Sequence, residues 1–290
     1  MEKVKKAVTY CQNTAKNELY TGKGVGVAIL DTGISPHPDF GNRICAFSDF
    51  ISHKQTPYDD NGHGTHVTGI LCGDGTASGG KYRGVAPGCG IIGLKVLDRF
   101  GNGNKEDVLC AFDWIIRHMQ KYHIRVVNIS VGTTCKNGKE HNSLIQGVEK
   151  LWDRGLVVVA AAGNQGPLPG SITAPGSSRK IITVGSSDML VGTEGVSGRG
   201  PTFECICKPD LVAPGNRIIS CSSKGGYRMK SGTSMSTPFV SGAVALALEK
   251  DPLLTNVEIK MMLKDSADDM GFPRNQQGWG RFNLERFLEL

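Results

Sequence analysis

The sequence lacks the patterns that mark several specialised classes of protein. It has no CxxC pair, which argues against a zinc ribbon, and no Lys/Arg-rich run of the kind that binds a nucleic-acid backbone. No stretch is apolar over the roughly 20 residues that a membrane helix needs. The net charge of +6 is modest for 290 residues. We therefore predict no nucleic-acid partner and no membrane partner.

The cysteines and the N-terminus give predictions about the cellular compartment. The chain has nine cysteines, and apart from Cys205 and Cys207 they are scattered singly. An odd count cannot pair completely within the chain, so we expect reduced thiols and a cytoplasmic location. The charged start, Met1 to Lys6, is not followed by the apolar run of a signal peptide. A secreted protein whose leader has been removed is the alternative.

Short apolar strands alternate with helical segments along most of the chain. Strands are predicted at 25–30, 90–97, 125–131, 156–162, 180–184 and 212–220, and helices at 105–122, 143–154, 239–248, 255–266 and 283–290. This alternation, with short connections and no repeats, predicts a three-layer α/β fold, in which helices cover both faces of a doubly wound, mostly parallel sheet. We expect a helical N-terminal extension over residues 1–23 and a single domain over residues 24–290.

Four polar residues stand where an α/β sheet presents its ligand-binding groups. Asp31 and Asn164 follow predicted strands, whereas His63 and Ser234 precede apolar, helix-forming stretches. Taken alone, each has an ordinary interpretation: turn formation for the first two, and helix capping for Ser234. His63 and His66 are three residues apart and lack the glutamate of an HExxH zinc motif, so we expect one base and one packed histidine.

Together the four residues supply complementary chemistry, because strand ends and helix starts gather at one edge of such a sheet. A serine hydroxyl is a weak nucleophile and needs a base that takes its proton. Imidazole can accept that proton near neutral pH and later return it. A carboxylate orients the imidazole, and an amide N–H₂ group can donate to the oxyanion of a tetrahedral intermediate.

Four motifs resemble the signatures of the subtilisin-like serine proteases. They are Asp31-Thr32-Gly33, His63-Gly64-Thr65-His66, Ala162-Gly163-Asn164 and Gly232-Thr233-Ser234-Met235-Ser236-Thr237-Pro238. The resemblance extends from about Gly24 to the end of the chain. The run from Pro57 to His63 and the free cysteines are most similar to the cytoplasmic branch of the family.

This resemblance implies a serine endopeptidase that hydrolyses peptide bonds through an acyl-enzyme. Ser234 is then the nucleophile, His63 the general base and acid, and Asp31 the residue that orients the imidazole. Asn164 and the backbone N–H of Ser234 form the oxyanion hole. The implied substrate is a peptide or protein in an extended conformation, and no cofactor is required. Broad and processing-type specificity both stay open, and a non-catalytic binding module is the alternative function.

The resemblance also implies a surface that binds the substrate backbone. It consists of Ser130, Val131, Gly132, Ala161, Ala162, Gly163, Thr173, Ala174 and Pro175. These residues are small and mostly apolar, which favours a medium or large apolar side chain before the scissile bond. Gln165 stands where many relatives carry an acid, and this weakens any preference for a basic residue.

Two features depart from the secreted members of that family. The stretch 73–80 lacks the usual Asn-containing pattern of a calcium loop. Asp39 matches one ligand position, so it is a weak calcium candidate, and no other metal ligand is predicted. The residues before Gly24 are too few for a folding pro-domain, so we expect a chain that folds unaided or from which a segment was removed.

Overall fold

The computed structural model describes residues 20–133, 138–192 and 195–290, with the side chains of 138–142 excepted. Among these residues, nine strands form two sheets. The strands are β1 Gly26–Asp31, β2 Ile44–Asp49, β3 Gly90–Lys95, β4 Ile124–Ile129, β5 Val157–Ala161, β6 Ile182–Ser186, β7 Leu211–Ala213, β8 Ile218–Cys221 and β9 Tyr227–Lys230. The first seven form a parallel sheet in the order β2-β3-β1-β4-β5-β6-β7, and β8 and β9 form an antiparallel hairpin.

Helices cover both faces of the seven-stranded sheet. They are α1 His63–Cys72, α2 Lys105–His118, α3 Gly138–Asp153, α4 Thr233–Lys250, α5 Asn256–Asp265, α6 Arg274–Gln277 and α7 Leu284–Glu289. Helices α1 and α4 pack against each other, and α4 lies across β4, β5 and β6. Helices α2 and α3 form another packed pair, with contacts to β1 and β5. The predicted three-layer, doubly wound fold is confirmed.

The sequence explains why the central strands lie in the middle of this sandwich. Strands β1 and β5 are buried along their whole length, and both are continuous runs of apolar residues apart from the final Asp31. Such runs are typical of parallel strands covered on both faces. Strand order reverses direction around β1, since β3 lies on one side of it and β4 on the other. Open α/β sheets bind ligands at this kind of switch point, at the carboxyl ends of the strands.

Some elements differ from the sequence prediction. Strand β2 was not predicted, because its apolar run covers only residues 44–47 and it lies at an edge of the sheet, where most of its residues are incompletely buried. Strands β4 and β6 lie one or two residues away from their predicted positions, and α2 ends four residues early. The predicted extension over 1–23 falls mostly outside the described residues, and residues 20–23 are not helical. Helix α5 begins with a capping box formed by Thr255 and Glu258.

Helix α4 begins earlier than its apolar stretch indicates, at Thr233, so Ser234 is its second residue. Pro238 therefore lies inside the helix and cannot donate to the carbonyl oxygen of Ser234, its partner four residues back. The hydroxyl of Ser130 donates to that oxygen instead, at 3.2 Å. The proline thus frees a carbonyl group that ties α4 to the end of β4.

No helix in the described part of the chain has both the length and the apolar character needed to cross a bilayer.

Candidate active site

Asp31 and His63 meet at the carboxyl end of β1. Asp31 is 1% exposed, and its Oδ1 lies 2.7 Å from Nδ1 of His63, the first residue of α1. The same oxygen accepts the N–H of Thr32 at 2.7 Å. A Cβ at Gly64 would lie 2.1 Å from the carbonyl oxygen of Gly33 and 3.0 Å from Cβ of Asp31, so only glycine lets the helix approach the strand this closely.

Asp59 holds the start of α1 against the end of β1. Its Oδ1 accepts the Thr32 hydroxyl at 2.8 Å and the Gly62 N–H at 2.7 Å. Its Oδ2 accepts both the N–H and the hydroxyl of Thr65, at 2.8 and 2.7 Å. This buried carboxylate satisfies N–H groups of the first helical turn, where α1 has no side-chain cap of its own. It therefore fixes the orientation of His63.

The environment of His63 sets its protonation. Burial lowers the pKa of the imidazole, but the charge of Asp31 and the hydrogen bond to it outweigh burial, so the pKa lies above the ordinary value. The positive charge of Lys230 opposes this increase. The side chain of His63 stays 25% exposed, so it can exchange protons with a substrate. A base must be neutral to accept a proton, and its activity should therefore rise with pH through this raised pKa.

His66 is the packed histidine of the pair. It is fully buried, and its Nε2 lies 3.2 Å from the carbonyl oxygen of Ile218 and 2.9 Å from that of Arg228. Carbonyl oxygens only accept, so Nε2 carries the proton and ties α1 to both strands of the β8–β9 hairpin. Burial lowers the pKa of His66 to about 4.

The lowered pKa of His66 predicts acid sensitivity of the fold. Between pH 6.5 and about 4 the unfolded chain binds this proton and the folded chain does not, so the free energy of unfolding falls as pH falls. Over this whole pH range the free energy of unfolding should fall by about 3 kcal/mol. We expect His66→Gln to flatten the pH dependence of urea unfolding in this range. The exposed His53→Asn is the control, and an unchanged slope in His66→Gln would contradict the assignment.

The hydroxyl of Ser234, at the start of α4, is held by Ser130, which lines the same cleft as His63. The Oγ of Ser234 donates to the carbonyl oxygen of Ser130 at 2.8 Å, and the side chain is partly exposed. The hydroxyl of Ser130 in turn accepts from Nδ2 of Asn128 at 2.9 Å, and Oδ1 of Asn128 accepts from Ser241 at 2.9 Å. In this arrangement the hydroxyl of Ser234 is directed to Ser130 and not to the imidazole of His63.

Asn164 faces the start of α4 from the loop after β5. Its Oδ1 accepts the N–H of Thr233 at 3.0 Å and the Thr233 hydroxyl at 3.3 Å. A backbone N–H needs an acceptor, so these contacts fix which side of the amide is oxygen. The Nδ2 group therefore points away from Thr233, and a Cβ built at Gly232 would lie 3.2 Å from it. Asn164 is exposed, so its N–H₂ group is free to meet a ligand.

A cleft of about 730 Å³ opens beside His63. Six of the sequence-predicted site residues line it: His63, Ser130, Val131, Gly132, Ala174 and Pro175. The other predicted binding residues, Ala161, Ala162, Gly163 and Thr173, do not line this cleft. Thr173 donates its N–H to the carbonyl oxygen of Ala162 at 3.1 Å, and Thr133 and Ala174 exchange backbone hydrogen bonds. Ala161 is the last residue of β5. A Cβ at Gly163 would clash with the side chain of Thr173.

Sequence reasoning missed several residues of the site. The opposite wall of the cleft is the 97–108 segment, including Leu97, Phe100 and Val108. The Gly/Asn-rich turn after β3 was a usable signal, because that turn falls at the carboxyl edge of the sheet. Lys95 was also missed. It is 1% exposed, pairs with Asp31 in register, and donates to the carbonyl oxygen of Thr32 at 2.5 Å and to Asp60 at 2.7 Å.

The surroundings of Asp39 do not fit a calcium ion. Asp39 is fully buried, its Oδ1 accepts the N–H of Ala77 at 2.8 Å, and its Oδ2 accepts the Tyr227 hydroxyl at 2.8 Å. Its backbone carbonyl oxygen accepts from Asp74 N–H at 3.0 Å and from the guanidinium of Arg43.

The guanidinium group of Arg43 supplies a positive charge beside the oxygens of this loop. Its Nη1 donates to the carbonyl oxygen of Cys72 at 2.6 Å, and its Nη2 lies 3.6 Å from Oδ2 of Asp74. Calcium takes six to eight oxygen ligands. The oxygens of Asp39, Cys72 and Asp74 are instead bound by N–H and O–H donors, so the loop is held by hydrogen bonds.

Comparisons with known proteins agree with this architecture. The model of the subtilase family, Peptidase_S8, matches residues 22–280. Serine protease AprX from Bacillus subtilis (strain 168) is 41% identical over 276 residues, which cover 86% of this chain and 62% of AprX. Subtilisin Savinase from Lederbergia lenta is 36% identical over 271 residues, which cover 93% of each chain.

A comparison with solved structures also finds proteins of similar fold. Sphericase has a TM-score of 0.79 and 28% identity, covering 94% of this chain and 96% of its own. A cold-adapted subtilisin-like serine proteinase has a TM-score of 0.74 and 31% identity, covering 91% and 88%. The chain spans less than two thirds of AprX but nearly all of Savinase. With the family model matched over residues 22–280 and these relatives above 30% identity, the chain belongs to the subtilase family.

Proposed function

We propose that the chain is a serine endopeptidase in which Ser234 is acylated by the substrate, with His63 as the base and Asp31 as the residue that orients it. The main support is the 2.7 Å contact between Asp31 Oδ1 and His63 Nδ1 beside an open cleft. A carbonyl oxygen of that cleft, from Ser130, holds the hydroxyl of Ser234. Family membership supports the same activity.

Asp31 determines which imidazole nitrogen reacts. Because a carboxylate only accepts, Nδ1 of His63 carries a proton towards Asp31, and Nε2 is the free base. For reaction, the hydroxyl of Ser234 leaves the carbonyl oxygen of Ser130 and donates to Nε2. The oxygen attacks the scissile carbonyl carbon while Nε2 takes the proton, and the resulting imidazolium is stabilised by Asp31. Nε2 then returns this proton to the leaving amine, and water repeats the sequence on the acyl-enzyme.

The oxyanion of the tetrahedral intermediate needs donors near the start of α4. We assign this role to Nδ2 of Asn164 and the backbone N–H of Ser234. The free orientation of Nδ2 supports the assignment, because Oδ1 is already engaged by Thr233. The N-terminal end of α4 adds a favourable electrostatic field for a negative charge.

Removal of the N–H₂ donor of Asn164 should weaken binding of the transition state and leave binding of the substrate unchanged. We expect Asn164→Ala to lower kcat by about 10²- to 10³-fold with KM nearly unchanged. Steady-state kinetics on a peptide amide measures both constants. Asn164→Asp is the matched control, since it keeps the acceptor for Thr233 but loses N–H₂. If either variant keeps wild-type kcat, Asn164 is not an oxyanion donor.

The substrate is proposed to bind as an extended peptide between the 130–132 segment and the 97–108 wall. The cleft is lined there by Leu97, Val108, Ile129 and Val131, which supports apolar side chains before the scissile bond. Ala161, Ala162, Gly163 and Thr173 are proposed to line the pocket for the side chain before the scissile bond. A positional-scanning peptide library distinguishes two forms of the proposal. A sharp preference at several positions favours a processing enzyme, and a broad profile favours general turnover.

Burst kinetics test the acyl-enzyme directly. With an activated ester, the first turnover should release one equivalent of leaving group per enzyme before a slower steady state, because acylation precedes hydrolysis. Peptide binding without turnover by the wild-type protein would instead favour the binding-module alternative.

We further propose that activity requires neither an organic cofactor nor calcium. The hydrogen bonds around Asp39 and Arg43 support a loop stabilised without an ion. The melting temperature should therefore rise by less than about 1 °C on addition of Ca²⁺. Arg43→Met should lower it by about 2–8 °C, through loss of charged hydrogen bonds of about 1–2 kcal/mol. A large rise in melting temperature with Ca²⁺ would contradict this proposal.

A cytoplasmic location is proposed from the cysteines, and no nucleic-acid or membrane partner is proposed. The seven cysteines in the described part of the chain are all free thiols, which supports a reducing compartment. Immunoblotting of fractionated cells tests the location, and recovery of the protein from the medium would contradict it.

A further inference from the structure

Three buried side chains that the proposed reaction does not use meet beside the β8–β9 hairpin. His37 precedes the short 3-10 turn Pro38–Phe40, Asp39 lies within that turn, and Cys221 ends β8. Each offers one ligand atom, and the nitrogen, oxygen and sulfur atoms all lie within 4.8 Å of one another. Imidazole, carboxylate and thiol groups are the three ligand types that zinc prefers in proteins.

The hydrogen bonds of His37 define its tautomer, with a proton on one ring nitrogen and a lone pair on the other. Nε2 lies 3.0 Å from the carbonyl oxygen of Gly226, which only accepts, so Nε2 carries the proton. Nδ1 accepts the N–H of Asp39 at 3.2 Å and lies 3.8 Å from its Oδ1, so a metal ion bound to Nδ1 would replace the hydrogen bond from that N–H. Zinc-binding histidines use this arrangement, with the second ring nitrogen fixed by a backbone carbonyl or carboxylate.

The sulfur atom completes the group at a similar spacing. Sγ of Cys221 lies 3.6 Å from Oδ2 of Asp39, and the Tyr227 hydroxyl donates to the same oxygen. In a tetrahedral site with bonds of about 2.0–2.3 Å, neighbouring ligand atoms are about 3.3–3.7 Å apart. Nδ1 is 3.8 Å from Oδ1 and Sγ is 3.6 Å from Oδ2, so coordination through one carboxylate oxygen requires the Asp39 carboxylate to rotate within this group, whose atoms lie within 4.8 Å of one another.

We propose that Nδ1 of His37, the carboxylate of Asp39 and the thiolate of Cys221 form a site for Zn²⁺ or a similar borderline-soft divalent ion. Binding releases the thiol proton of Cys221 to solvent, and a water molecule completes the tetrahedron. The two anionic ligands balance the charge of the ion, so no net charge is buried. The sulfur and nitrogen ligands exclude calcium, which takes oxygen ligands only.

An ion at this position would stabilise the segment that leads to Ser234. The ion would connect the end of β8 to the 3-10 turn that precedes β2. Strand β9, the other strand of the hairpin, leads directly to the start of α4. The ligands are almost fully buried, so uptake requires the hairpin to open locally and should be slow. A ligand that binds only the folded chain raises the melting temperature in proportion to ln(1 + [L]/Kd).

Cobalt spectroscopy on the full chain tests the site. Ser234→Ala prevents self-digestion, and serine at Cys11, Cys45, Cys110, Cys135, Cys205 and Cys207 leaves only the buried thiols of Cys72, Cys89 and Cys221. Co²⁺ should bind with one equivalent per chain and give the intense near-ultraviolet absorption of a thiolate–cobalt bond. Zn²⁺ should abolish that absorption by displacement and raise the melting temperature by about 5 °C.

Three variants decide the assignment. Cys221→Ser should lose both the absorption and the thermal shift, and His37→Gln should weaken Co²⁺ binding by at least tenfold. The matched control Cys72→Ser, which removes a buried thiol beside Cys89, should keep both signals. If Cys221→Ser fails to fold by circular dichroism, His37→Gln carries the test. The proposal would be overturned if the absorption persisted in Cys221→Ser or disappeared in Cys72→Ser. It would also be overturned if the parent variant, with Ser234→Ala and the six serine replacements, gave no metal-dependent signal.

Discussion

Replacement of Ser234 by alanine is expected to lower kcat for peptide hydrolysis by about 10⁶-fold. The hydroxyl is the only part of the side chain that alanine lacks, and the proposed acyl-enzyme cannot form without it. The folded state should change little, because the hydroxyl makes one hydrogen bond, to the carbonyl oxygen of Ser130. KM should stay close to the wild-type value, since the cleft walls are untouched.

A matched control separates the nucleophile from other serines nearby. Ser231 lies three residues earlier, is exposed, and donates its hydroxyl to Asn216 at 2.8 Å. Ser231→Ala should keep kcat within about twofold of wild type. Equal circular dichroism spectra and melting temperatures establish that both variants fold. Substantial hydrolysis by Ser234→Ala would assign the nucleophile to a different residue.

Asp31→Asn is expected to lower kcat by about 10⁴-fold. Asparagine can still accept the N–H of Thr32 through its oxygen, so the end of β1 should keep its shape. The amide has no charge and cannot stabilise the imidazolium that forms when His63 takes the serine proton. The residual activity comes from the oxyanion donors and from substrate binding.

The same variant should change the pH dependence. In the wild type, burial lowers the pKa of His63, and the charge and hydrogen bond of Asp31 raise it above the ordinary value. Without that charge, burial dominates, so the midpoint of the pH–rate profile should move to lower pH. Asp113→Asn, which removes an exposed partner of Lys150, is the control and should move neither kcat nor the midpoint. An unchanged midpoint in Asp31→Asn would show that Asp31 does not set the protonation of His63.

The positions of Asp31 and His63 were predictable because each lies at the boundary of a regular element. A buried apolar run ends at Asp31, and a glycine-flanked stretch begins a helix at His63. Parallel strands bring such boundaries together at one edge of the sheet. The same reasoning predicted the alternation of strands and helices, and it failed for β2, an edge strand whose apolar run covers only residues 44–47.

The contacts that support these groups could not be predicted, because they join residues far apart in sequence. Asp59 satisfies the first turn of α1 through its side chain, but its sequence position indicates only a turn. Lys95 interrupts an apolar strand, and only the register of β1 with β3 shows that it lies beside Asp31. Arg43 takes the role of a cation through carbonyl groups of residues up to 29 positions away. The predicted start of α4 is too late because the apolar stretch that indicates the helix begins only after Pro238, which lies inside the helix.

The most direct test is the rate at which a fluorophosphonate labels Ser234, measured as a function of pH and mapped by mass spectrometry. One label per chain should lie on the peptide that contains Ser234, and the rate should rise with pH through a midpoint above the ordinary pKa of histidine. Asp31→Asn should slow labelling and lower the midpoint, and His63→Ala should nearly abolish it. Label on another residue, or a rate in His63→Ala equal to that of the wild type, would contradict the proposed triad.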